Sequence, residues 1–173
     1  MTAVFSRPDP AEYPPYYATY VDKVPSGDLL GHLEKQIGAI EDTFRRMPAG
    51  RATFAYAPGK WTVNEVLGHL ADTERVFGYR LLTFARNDPA SLPSFDENAW
   101  VPAGRFNGRS LAEMVAELVA TRRATLALLG GLPADAPAAT GTASGKPISV
   151  RALAHLLYGH VAHHLGIIHE RYA

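Results

Sequence analysis

The sequence predicts an all-α fold: a four-helix bundle with a long crossover loop between helices 2 and 3 and an extended N-terminal strap. Three observations carry this. Four segments place apolar residues at steps of three and four, Gly and Pro punctuate the ends of those segments, and no run makes a credible strand. With 173 residues, a single domain covering 1–173 is expected.

Residues 1–25 carry Pro8, Pro10, Pro14, Pro15 and Pro25 among Phe5, Tyr13, Tyr16, Tyr17 and Tyr20, which suits a strap whose aromatics pack across the domain. Leu29, Leu33, Ile37, Ile40 and Phe44 then lay one stripe along a helix from about Gly27 to Met47, ended by Pro48 and Gly50. Thr62-Val-Asn-Glu65 has the form of a capping box and opens the second helix. Its buried face is Val63, Val66, Leu67, Leu70, Phe77, Leu81 and Phe84, and Asn87-Asp88-Pro89 closes it. Residues 88–109 hold Pro89, Pro93, Pro102, Gly104 and Gly108 without a clean period, a connection longer than compact domains normally use, and such loops tend to be functional. Ser110-Leu-Ala-Glu113 opens the third helix, with Leu111, Val115, Leu118, Thr125 and Leu129 as its stripe and Gly130-Gly131 and Pro133 as its end. A Pro/Ala/Gly/Thr loop to about Pro147 leads to the last helix, about Ser149 to Tyr172, with Val150, Leu153, Leu157, Ile167 and Ile168 apolar.

Composition narrows the function. Hydrophobic residues make up 47% and charged residues 20%, enough to bury a core. Lys+Arg and Asp+Glu both number 17, so no basic field exists to draw nucleic acid or anionic lipid, and neither is expected as a partner. The absence of cysteine removes disulfides, thiolate metal sites and a cysteine nucleophile, so any thiol chemistry must use an external thiol. Arg7, Asp9 and Glu12 stand where a signal peptide would be apolar, and no stretch runs to membrane-spanning length, so a cytoplasmic location is expected.

Seven histidines stand at 32, 69, 155, 160, 163, 164 and 169, five of them in the final helix. At about 100° per residue the apolar face of that helix is centred roughly 30° from His160, with His164 at about 40° and His163 at its edge near −60°. His155 and His169 fall on the opposite side. Two imidazoles at i and i+4 in an apolar seam can converge on one cation, although a buried histidine is more often simply hydrogen-bonded. A third ligand must come from a facing helix, where His69 is flanked by Val66 and Leu70; the alternative is a polar residue at the stripe edge. His32 lacks a histidine partner on its helix and reads as structural or exposed. Three neutral imidazoles around a divalent cation leave a coordination position open, the arrangement of a catalytic site. The residue after His160 is Val161, so the general-base Glu of an H-E-x-x-H peptidase is missing. Asp72, three residues after His69, could orient an imidazole or pair with Arg75, and His163 could support the site from its edge.

Pro58-Gly-Lys-Trp61-Thr-Val, Gly68-His69-Leu-Ala-Asp72, Arg80, Leu92-Pro-Ser-Phe-Asp96-Glu-Asn-Ala-Trp100 and His160-Val-Ala-His163-His164 together span most of the chain. In them the sequence resembles the DinB-like superfamily of metal-binding four-helix bundles, and most of all its bacillithiol-transferase-type branch. The resemblance carries metal binding to His69, His160 and His164, the same three the helical wheel selects. One departure is Gly68, where that branch often carries another His.

The resemblance also implies an activity: a divalent-metal-dependent transfer of a low-molecular-weight thiol, held as thiolate on the metal, to an electrophilic small molecule. Zinc is the first expectation, with nickel, manganese or iron as alternatives. Arg80 is placed to meet a carboxylate of the thiol cofactor or a helix-packing partner, and the loop bearing Phe95, Asp96 and Trp100 to close over the site or cover the bundle end. Two other readings stand beside the transferase: a metal-dependent hydrolase in which the cation activates water, and a non-catalytic metal-binding bundle. The assembly is open between monomer and homodimer.

Overall fold

The capping signals begin helices where the sequence places them. The computed structural model describes residues 3–48 and 50–172. Among these, six α-helices form: α1 Ala18–Val21, α2 Leu29–Arg45, α3 Val63–Ala85, α4 Glu97–Gly104, α5 Leu111–Gly130 and α6 Val150–Arg171. One hairpin joins β1 Thr140–Ala143 to β2 Lys146–Ser149. Thr62 and Ser110 each accept from the backbone three residues on, and Glu65 and Glu113 reach back to them, completing both capping boxes. Asp28 and Ser149 cap α2 and α6.

The four long helices, α2, α3, α5 and α6, form the bundle. Each of α2 and α3 packs on both α5 and α6, so the pairs adjacent in sequence lie across the bundle from one another. Two apolar halves make the core. One gathers Leu29 and Leu33 of α2, Phe77 to Phe84 of α3, Leu129 of α5 and the first two turns of α6. The other gathers Ile37 to Phe44, Val63 to Ala71, Met114 to Val119 and the end of α6. Hence α2 and α6 run one way and α3 and α5 the other. The long connection joins α3 to its parallel neighbour α5, and a parallel step must retrace the length of the bundle, which explains a crossover of that size.

Between the halves lies a polar layer. Arg122, with no exposed side-chain surface, donates from Nε and Nη2 to Glu74 at 2.7 and 2.9 Å, from Nη1 to Gln36 and from Nη2 to the Leu157 carbonyl. This one side chain ties all four long helices together.

The hairpin corrects the loop expected before the last helix. Ser144 and Gly145 both take positive φ, at 54° and 72°, and make the two-residue turn that matches the twist of a hairpin. Its strands are four residues each and interrupted by Gly141 and Pro147, too short for alternation to register. β1 also holds the crossover, since Leu92 donates to Thr142 and Ser144 donates to Leu92, both at 2.9 Å. The strap is less extended than expected: Pro10–Glu12 and Pro15–Tyr17 are single 3₁₀ turns and α1 follows them. Proline at the first position of each turn is compatible with that geometry. No helix among the described residues is long and apolar enough to cross a membrane.

Candidate functional site

α3 and α6 run antiparallel, and this brings residues 91 apart in sequence face to face: His69 Nε2 lies 3.0 Å from His160 Nε2. His164, one turn beyond His160, completes the group, with ring centroids 5.1 Å from His69 and 4.7 Å from His160. One nitrogen from each of the three falls within 4.8 Å of the others. No Asp or Glu joins them among the described residues, and the chain has no cysteine to do so.

Burial governs their charge. It lowers the pKa of His69 to about 4 and that of His164 to about 3, with neighbouring imidazoles adding to the effect on His164. Burial and then His164 and His69 push His160 well below its ordinary value. All three are therefore neutral at pH 7 and keep a lone pair on one ring nitrogen each. In a pair of neutral imidazoles 3.0 Å apart, at most one hydrogen serves the contact, and a third ring at the same spot has no acidic partner. A donor set of that kind fits a divalent cation, which would take all three lone pairs at once. Behind His69 stands Thr73, whose hydroxyl is 3.5 Å from Nδ1, a long contact.

The triad forms one wall of a cavity of about 290 Å³. The strap supplies another: Tyr20 sets its ring edge against His160 and His163, with centroids 5.5 and 5.4 Å away. It comes this near because of Gly159, where a Cβ would sit 2.1 Å from the Tyr20 carbonyl oxygen. Trp61 packs on His69 at 4.8 Å, and Phe77 on His160 at 6.1 Å. The crossover closes the far side with Phe95 and Glu97. Phe95 stacks on Trp100 at 5.0 Å, and Asp96, instead of entering the cavity, caps α4 by accepting from Asn98 and Ala99. Glu97 is the acid whose charge pulls the His69 pKa partly back up.

The remaining sequence candidates separate. His163 lines the cavity beside His164, their ring centroids 5.1 Å apart. Asp72 does not line it: its carboxylate is 3.5 Å from Arg75, so the ion-pair alternative is the one found. Arg80 lines it from three turns further along α3 and is 3% exposed. His169 faces α2, 3.0 Å from the Thr43 hydroxyl, and His32 meets the Ser26 carbonyl at 3.0 Å. His155 points away from the triad yet is buried, bonded at 2.8 Å to the Arg151 carbonyl, because the strap covers that side of α6. Gly68 has a packing reason: a Cβ there would stand 2.4 Å from the Phe106 ring, so a histidine at that position would have to expel Phe106. Glu97, Ser144 and Tyr17 also line the cavity, and nothing in the sequence marks them as site residues. Tyr17 was legible only as one aromatic of the strap, and the other two carry no spacing signal.

A family model described as the DinB superfamily matches residues 32–168. Among solved structures the chain resembles one described as YfiT from Bacillus subtilis, a probable metal-dependent hydrolase with an unusual four-helix bundle topology. The TM-score is 0.75 at 20% identity, over 86% of this chain and 88% of that one. No curated protein matches the sequence.

Proposed function

The chain belongs to the DinB superfamily, and from that premise we propose that it is a divalent-metal-dependent transferase that moves a low-molecular-weight thiol onto an electrophilic small molecule. One observation carries the reading: three neutral imidazoles on the wall of a substrate-sized cavity, with no carboxylate grouped with them among the described residues and no cysteine in the chain. His69, His160 and His164 would hold the ion; zinc suits them, and nickel, manganese or iron would also accept imidazole. When bound, such an ion acidifies a thiol or water entering its open position.

The chain's own groups supply the rest. The histidines stay neutral and fixed. Tyr20, Phe77 and Trp61 exclude water and offer ring edges and faces to a soft sulfur. As the S–C bond forms at the electrophile, the bond to its leaving group breaks and the pair departs with that group. The thiol proton passes to Glu97, the cavity's carboxylate, or to solvent. His163 is at the edge, on the substrate side of the triad.

A second reading, hydrolysis, is favoured by Glu97, a carboxylate of the cavity that can serve as base toward water, and YfiT is described as a probable metal-dependent hydrolase. Turnover separates the two. The metal-loaded protein supplied with a small thiol and a halogenated or strained-ring electrophile is expected to form thioether faster than enzyme-free solution. The advantage should grow below the free thiol's pKa, where the uncatalysed reaction fades. Equal cleavage of an ester or amide with thiol absent would replace the transferase with the hydrolase.

A further inference from the structure

Two arginines are buried in this bundle, and only one has a counter-charge. Arg122 is paired in both directions with Glu74 and bonded to Gln36 and a carbonyl, as a structural guanidinium inside a core must be. Arg80, 3% exposed, makes no ion pair among the described residues. Its Nη2 donates to the Pro93 carbonyl at 2.7 Å and to Ser144 Oγ at 3.1 Å, and the Tyr17 hydroxyl adjoins the guanidinium. These are neutral acceptors. They hold the planar group in place without cancelling its charge, and burial accordingly lowers its pKa. Glu97 lines the same cavity and does not pair with it.

The position of Arg80 matters as much as its charge. Its guanidinium carbon lies 6.0 Å from the centre of the Phe77 ring, and that centre is 6.1 Å from the centre of the His160 ring. The cation and the triad thus line one cavity, with Phe77 neighbouring both. Arg80, Ser94 and Phe95 are also shared with a second cavity, of about 320 Å³, on the Trp100 side, so a ligand reaching Arg80 has room beyond it.

We propose that Arg80 is a specificity-determining residue which receives a carboxylate of a reactant whose reacting atom lies at the histidine triad. This rests on the reading of the cavity as a substrate site, and it defines the reactant as an anion with an apolar body that packs against Phe77. The carboxylate can belong to the thiol or to the electrophile; the recognition chemistry is the same.

Calorimetric titration of wild-type protein, metal-loaded and chelated, with two matched pairs decides it. Phenylacetate is compared with phenylacetamide, and 3-mercaptopropionate with 3-mercaptopropionamide. In at least one pair the carboxylate should bind roughly tenfold or more tightly than its amide, in chelated as well as loaded protein. A preference in the first pair places the anion on the electrophile, and one in the second places it on the thiol. Arg80→Gln should bring the ratio to near unity with metal content unchanged, and Arg80→Lys should restore part of it. Equal affinities in both pairs, absence of binding to either carboxylate, a preference abolished by chelation alone, or a preference retained in Arg80→Gln would each overturn the proposal. The wild-type comparison stands even if a variant fails to fold. It requires no turnover, so failure of the transferase reading leaves it intact.

Discussion

Gly159 shows how much can depend on one missing methyl. The Tyr20 carbonyl occupies the space a side chain would take, and through that contact the strap becomes a wall of the cavity. Gly159→Ala should cost about 1–3 kcal/mol in chemical denaturation, as overpacking does, while the protein retains its metal because no ligand is touched. Loss of metal with unchanged stability would show the contact to be unimportant. At this scale the sequence was informative where chemistry and periodicity coincided. His160 and His164 stand one turn apart within an apolar stripe, and His69 is bracketed by Val66 and Leu70. It was silent on Arg122 and Glu74, although Leu118, Arg122, Thr125 and Leu129 follow the helical step, because a charged residue on a stripe reads as a gap until its partner on another helix is known. Arg80 was legible by position, but its lack of a counter-charge was not.

At the scale of elements, the four long helices were readable because caps and stripes are local; α4 corrects the crossover expected to be all loop, its eight residues with Pro102 inside being too few to show a period, and the hairpin depends on tertiary contact with Leu92 and on two positive-φ residues. The strap's path was unreadable for the same reason. Its anchor is long-range: Arg151 on α6 donates to the Glu12 carboxylate from Nε at 2.6 Å and from Nη2. Arg151 holds the Glu12 carboxyl at about 2, below its ordinary 4.5. A carboxyl depressed in the folded state contributes stability that is complete above 4.5 and is lost as pH falls through about 2. Glu12→Gln should therefore be less stable than wild type at neutral pH, and the difference measured by thermal melts should close as pH falls between those values. A difference independent of pH would mean that the ion pair does not anchor the strap.

Across the whole molecule, two apolar halves meet at a polar layer, and the order of helix directions goes with the crossover that joins two parallel neighbours. Arg122→Leu leaves Glu74 buried and alone, and should cost about 3–5 kcal/mol in denaturant unfolding, whereas adding Glu74→Leu should recover much of that loss. Additive losses would show the pair to be uncoupled. The same antiparallel packing of α3 on α6 that builds the layer also builds the histidine triad, and the proposed function requires one divalent ion between those helices. Elemental analysis of purified wild type, His69→Ala, His160→Ala, His164→Ala and His155→Ala decides whether it is there. The expected result is one equivalent of metal in wild type and His155→Ala and little in the other three; full occupancy in His160→Ala would contradict it.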